Sequence, residues 1–159
     1  MSRSDDILNV AAHRLSTGAL EQTLTTHPLI TEACIIPLPD PLKGQVPFAF
    51  IALQTDSESP QPSNSELLKD LNTRIRKDIG AIAALGGLIV GQGIIPRTRS
   101  GKTLRRVLRE VVELGVKGEW EGRVNVPATV EDPGVVEKAR GAVREYFERG
   151  EGAKVKAKL

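Results

Sequence analysis

Seven consecutive residues, Pro96-Arg97-Thr98-Arg99-Ser100-Gly101-Lys102, place three cations in a loop whose Ser100-Gly101 pair is small and flexible. A lysine following such a pair reaches an anion without steric hindrance, and forked arginine donors suit phosphate or carboxylate oxygens. The chemistry on offer is stabilisation of negative charge by a positioned ammonium. Gly101-Lys102-Thr103 has the ending of a phosphate-binding loop, but that motif needs a glycine five residues before Gly101, where Pro96 stands. On the residues alone a second reading stays open: Arg97, Arg99, Lys102, Arg105, Arg106 and Arg109 form a solvated basic loop and helix face. A nucleic-acid patch lacks support, because no aromatic side chain is interleaved with these charges and both Trp120 and Tyr146 are far away in sequence.

Other chemistries find little footing. His13 and His27 are the only histidines and Cys34 the only cysteine, which argues against a metal site and excludes a disulfide within the chain. Cys34 lies in the apolar run Ala33-Cys34-Ile35-Ile36 and reads as a buried, inert thiol. No Ser-His-acid order stands out that would mark a hydrolase. The 22 basic and 20 acidic residues leave a net charge of +2, too balanced for bulk affinity to nucleic acid or an anionic membrane. No apolar stretch approaches the roughly 20 residues of a membrane span, and the start carries no secretory pattern. We expect a soluble intracellular protein. The 159 residues have room for one domain, and with aromatic residues at 3% its core must be aliphatic.

The elements that position the loop are legible in outline. Ile7 to Ala12 reads as an extended piece that leads, through a hairpin or loop, to His13-Arg14. Ser16 or Thr17 is placed to cap a helix with Leu20 and Leu24 on one face, ending near His27-Pro28. Ile30 to Ile36 predicts a strand, which the prolines at 37, 39 and 41 are expected to end. Val46 to Leu53, apolar almost throughout, predicts a strand covered on both faces. After a Ser/Pro-rich linker from Asp56 to Asn64, Ser63-x-x-Glu66 is a capping box. The helix it opens shows Leu67, Leu68, Leu71, Ile75 and Ile79 on one face, with Gly80 as a left-handed stop. Leu88-Ile89-Val90 and Ile94-Ile95 suggest a third strand interrupted by glycines, and the cationic loop then feeds a helix with Leu104, Val107, Leu108, Val111 and Val112. Residues 115–131 read as irregular, Asp132-Pro133 as the cap and first position of a last amphipathic helix, and 150–159 as a charged tail.

Two segments together resemble a known family. Arg3-Ser4-Asp5-Asp6-Ile7-Leu8-Asn9-Val10-Ala11-Ala12-His13-Arg14-Leu15-Ser16 resembles the hinge segment of acyl-CoA synthetases, and Pro96 to Lys102 resembles their C-terminal lysine loop. Between them, Leu42-Lys43-Gly44-Gln45 and Arg76-Lys77-Asp78-Ile79-Gly80 resemble the acetyl- and propionyl-CoA synthetase branch, and Val130-Glu131-Asp132-Pro133 looks like the tail of propionyl-type enzymes. The chain is thus similar to the C-terminal lid of an adenylate-forming, AMP-binding enzyme. The resemblance implies an α/β (α+β) fold: a small three-stranded sheet flanked by helices, with an N-terminal hairpin and a C-terminal helical extension. It divides the chain into a lid domain over residues 1–114, the extension over 115–149 and the tail over 150–159.

The resemblance also implies a two-step ligase reaction, in which a carboxylate and ATP give acyl-adenylate and pyrophosphate and coenzyme A then displaces AMP. The acyl and ATP pockets, and most of the magnesium coordination, would belong to an N-terminal adenylation domain, so the chain by itself is expected to be inactive. Lys102 matches the adenylation lysine and Asp5 the hinge about which the lid rotates. Arg3, Asn9 and Arg14 match positions near the nucleotide, and Arg76 one that meets coenzyme A. Ala12 stands where the family usually has glycine beside the pantetheine tunnel, and its extra methyl bears on the thioester step. Ser2 replaces the glycine before the hinge arginine. The other reading of such a chain is a noncatalytic binding module with the same fold. Ala157-Lys158-Leu159 resembles a peroxisomal address, so cytoplasm and peroxisome are both expected locations.

Overall fold

The computed structural model describes residues 7–10, 13–40, 44–54, 63–119, 122–124 and 126–148. Its centre is a pair of long antiparallel strands, β3 (Ile30–Asp40) and β4 (Gly44–Leu53). β1 (Ile7–Val10) and β2 (His13–Ser16) form the expected hairpin, which joins β4 where Val10 pairs with Gly44. β5 (Gly87–Val90) runs parallel to β4 from Phe48 to Ile51. The hairpin therefore continues the three-stranded sheet into five strands, in the order β2-β1-β4-β3 with β5 also on β4. The remaining elements are α1 (Thr17–Thr25), α2 (Asn64–Asp78), a 3-10 turn over Ala81–Ala83, α3 (Arg105–Lys117) and α4 (Pro133–Glu148).

Successive side chains of a strand point to opposite faces, and here each face has its own core. Cys34, Ile36, Leu38, Phe48, Phe50 and Ile89 pack against Leu108, Val111 and Val112 of α3 and Ala139, Val143, Tyr146 and Phe147 of α4. Ile35, Ala49, Ile51, Leu53 and Leu88 take the opposite side, under Leu20 and Leu24 of α1 and Leu67, Leu71 and Ile75 of α2. The unbroken apolar run from Phe48 to Leu53 follows from this double cover. Among the described residues the aromatic side chains gather in one place, with Tyr146 meeting Phe48 and Phe147 edge to face at centroid distances of 5.5 and 5.4 Å.

Four local expectations are corrected. β3 does not end at Ile36 but runs through Pro37 and Pro39 to Asp40. It is an edge strand, and Pro37 shares the outward parity of Ile35, whose N–H leaves the sheet and is taken by the Glu21 carboxylate at 3.0 Å. Prolines there remove only donors that the ladder with β4 does not use. Ile94 and Ile95 are buried core residues outside any strand. Gly80 has φ 142° and ψ 160°, an extended conformation open to glycine rather than the left-handed helical one, and Gly118 is the αL cap of a helix that reaches Lys117 rather than giving way at residue 115.

The other caps are as the residues suggest. Ser16 Oγ accepts from Ala19 N–H at 3.2 Å, and Ser63 and Glu66 satisfy each other's backbone N–H groups reciprocally. Asp132 Oδ1 accepts from Gly134 N–H at 2.9 Å at the start of α4.

Candidate functional site: the lysine hairpin

The cationic loop is a constrained turn. Gly101 N–H donates to the Thr98 carbonyl at 2.9 Å, Thr98 N–H donates to the Lys102 carbonyl at 2.8 Å, and Gly101 has φ 87°. This is a three-residue hairpin of the type I plus left-handed glycine kind, with Arg99-Ser100-Gly101 at its tip. Thr98 also spends its hydroxyl locally, accepting from Lys102 N–H at 3.1 Å and sharing a hydrogen bond with Ser100 Oγ at 2.9 Å. Glycine at 101 is required by its backbone and not by crowding, since a β-carbon there would have nothing within 4 Å.

The arms of the hairpin are tied to each other, and its first arm is tied to the rest of the chain. Arg97 pairs with Thr103 across the hairpin, and Leu104 N–H reaches the Pro96 carbonyl at 2.9 Å. Outside it, residues 129–131 add a third short extended piece: Arg99 N–H donates to the Thr129 carbonyl at 3.0 Å and Glu131 N–H to the Arg97 carbonyl at 2.8 Å. The segment that leads into α4 thus lines up beside the segment that carries Lys102.

The six cations noted in the sequence separate by environment. Arg97 Nη2 meets Glu32 at 2.9 Å, and Arg105 meets Glu21 in two parallel bonds, Nε at 2.9 Å and Nη2 at 2.6 Å. Arg106 and Arg109 face Glu110 and Glu113 one turn along α3 at 3.5 and 3.9 Å. Arg99 and Lys102 are exposed, and neither has an ion-pair partner among the described residues. The basic run therefore resolves into clamps, helix-surface pairs and two cations at or beside the hairpin tip that face solvent. That Glu21, Glu32 and residues 129–131 meet this loop gave no signal in the sequence, because only the folded topology brings them to it.

Asn9 and Arg14 are brought together. They are opposite one another in the β1–β2 hairpin, so they leave the same face of it, and both are exposed. The Asn9 backbone N–H donates to Gln45 Oε1 at 2.9 Å, which helps dock the hairpin on β4. Arg76 is exposed in the last turn of α2. That helix covers one face of the sheet, whereas Lys102 leads into α3 on the other. Arg3, Asp5, Ala12, Leu42, Lys43 and the tripeptide Ala157-Lys158-Leu159 lie outside the described residues.

His27 is structural. Its Nδ1 accepts from Leu29 N–H at 3.1 Å and its Nε2 meets Asp70 at 2.9 Å, pinning the end of α1 to α2. The described residues hold no group of three or more His, Cys, Asp and Glu side chains that could bind a metal ion. No described helix is long and apolar enough to cross a membrane.

The chain is similar to known proteins. A family model described as the AMP-binding enzyme C-terminal domain matches residues 19–102, more than half of the chain. Acetyl-coenzyme A synthetase of Brucella canis is 38% identical over 135 residues, and that of Sodalis glossinidius 41% identical over 136. These alignments cover 85% and 86% of this chain but 20% and 19% of the relatives, so the chain spans about a fifth of their length. Among solved structures, that of Brucella canis acyl-CoA synthetase is similar at a TM-score of 0.59 and 28% identity, over 69% of this chain and 19% of that one.

Proposed function

Because the chain belongs to the AMP-binding enzyme C-terminal domain family, we propose that it is the mobile lid of an AMP-forming short-chain acyl-CoA synthetase, with Lys102 as its adenylation cation. The observation that carries this reading is the state of Lys102: exposed, without an internal counter-ion among the described residues, on a hairpin whose arms are bonded to each other and whose first arm is bonded to residues 129–131. A lysine on a rigid mount, with its charge unspent, suits a group that must meet an anion supplied by another domain.

In the first half-reaction a carboxylate oxygen attacks the α-phosphorus of ATP, forming the acyl–phosphate bond as the bond to pyrophosphate breaks. Negative charge grows on the non-bridging α-phosphate oxygens and is shared with the incoming carboxylate. The Lys102 ammonium stabilises it there, an effect worth about 3–4 kcal/mol by comparison with other preorganised contacts. In the second half-reaction the thiol of coenzyme A attacks the acyl carbon and AMP leaves. To Arg76, exposed on the helix that covers the other face of the sheet from α3, we assign the contact with a phosphate of coenzyme A once the lid has turned. Asp5 is the hinge of that turn, as residues at element ends commonly are.

Asn9 and Arg14, side by side on the N-terminal hairpin, serve the nucleotide together with Arg3, and Ala12 borders the coenzyme A path. ATP and coenzyme A are substrates on this reading, and magnesium is held mainly by the N-terminal adenylation domain. Residues 1–114 are the lid proper and 115–149 an extension whose helix shares the lid's core.

The test is complementation. An acetyl-CoA synthetase truncated before its own C-terminal domain is mixed with, or fused to, this chain. The reading expects acyl-adenylate formation to appear on addition of the chain, and no gain in rate over the truncated enzyme would refute it.

A further inference from the structure

We propose that Glu21 and Glu32 are positioning residues for adenylation, acting through Arg105 and Arg97 to fix the hairpin that carries Lys102. The inference rests on the role given to Lys102 above. One arm of the hairpin is held where Arg97 Nη2 meets Glu32 Oε1 at 2.9 Å, and the other where Arg105, three residues beyond Lys102, closes its two bonds on Glu21. Both carboxylates belong to the layer around the edge of β3: Glu32 lies within the strand itself, and Glu21 of α1 also accepts the outward N–H of Ile35.

Glu21 therefore joins three elements, α1, β3 and α3, at one carboxylate. The pair it makes is mostly buried, with side-chain exposures of 20% for Arg105 and 17% for Glu21, so solvent screens it less than a surface ion pair. The Arg97 guanidinium has a buried Nε without a hydrogen-bond partner, which leaves Glu32 as the group that orients it. Neither glutamate reaches the reacting atoms. Each sets where the lysine backbone stands relative to β3, and displacement of a catalytic group by about 1 Å costs on the order of a hundredfold in rate.

The experiment compares Glu21→Gln, Glu32→Gln, the double variant and Lys102→Ala, each paired with the adenylating domain, in two assays. One is carboxylate-dependent exchange of pyrophosphate into ATP, and the other is thioester formation from preformed acyl-adenylate. The double variant is expected to lower the exchange kcat by about 10–100-fold with KM for ATP nearly unchanged, while thioester formation stays at the parent rate. Exchanging the charges, Glu21→Arg with Arg105→Glu, should restore part of the loss. In the chain alone, amide hydrogen exchange should quicken at Arg99 and Lys102 in the double variant while β4 keeps its protection. Equal losses in both half-reactions would show a merely structural role and overturn the proposal, as would unchanged exchange kinetics beside a Lys102→Ala variant that has lost adenylation. Should Lys102→Ala itself keep full adenylation, the functional reading fails and takes this inference with it.

Discussion

Gly115 of α3 and Phe147 of α4 approach so closely that a β-carbon on Gly115 would lie 2.8 Å from the Phe147 ring, and 2.7 Å from Val143 Cγ1. The glycine lets the two helices close over one face of the sheet, where Phe147 is 6% exposed. α4 is therefore part of the core that supports the lysine hairpin, and its leading segment, residues 129–131, bonds directly to that hairpin.

Replacing Gly115 by alanine should destabilise the chain by about 1–3 kcal/mol, because neither neighbour is the free end of a flexible side chain and overpacking forces both to shift. Urea unfolding gives the answer directly. A midpoint equal to that of the parent would mean that the α3–α4 contact is looser than described.

The reciprocal cap of α2 makes a smaller and separable claim. Ser63→Ala removes the acceptor for Glu66 N–H and should cost about 1 kcal/mol, whereas Ser63→Gly should cost only a few tenths. Matched denaturation curves of the two variants test the ordering. Equal losses would assign the effect to something other than the hydroxyl.

Cys34 gives a dependence on pH. Its thiol is fully buried, and burial first, then the nearby Glu21 carboxylate, pushes its pKa far above the ordinary value near 9.0, with Arg105 and Arg97 pulling the other way. The folded chain keeps the proton under conditions in which the unfolded chain releases it. This contribution to stability is complete below about pH 9 and is lost progressively as the pH rises beyond it. Cys34→Ala should flatten the alkaline limb of the stability profile, and the native thiol should resist alkylation until the chain unfolds. Rapid labelling of the folded protein at pH 8 would contradict the burial.

Patterns carried by neighbouring residues were readable in the sequence, and relations across the fold were not. Ser63 and Glu66 are three apart and announce a cap, and the apolar run of β4 announces a doubly covered strand. The prolines of β3 misled because a missing N–H matters only when it faces a partner strand, and edge position is a property of the whole sheet. The lysine loop was legible as a cationic, glycine-containing turn resembling a known one. What could not be read was that Arg97 and Arg105 are held by Glu32 and Glu21, residues 65 and 84 positions away, whereas Arg99 and Lys102 stay without ion pairs among the described residues. Spacing along a loop says which residues are near one another, but charge neutralisation depends on what the topology folds against them.

The central claim is that an uncompensated ammonium on a fixed hairpin drives adenylation. Its most direct test is carboxylate-dependent pyrophosphate exchange by Lys102→Ala, with the adenylating domain supplied. The account predicts a loss of about 10²–10³-fold in that exchange, with thioester formation from preformed acyl-adenylate retained. Exchange at the parent rate in the alanine variant would contradict it.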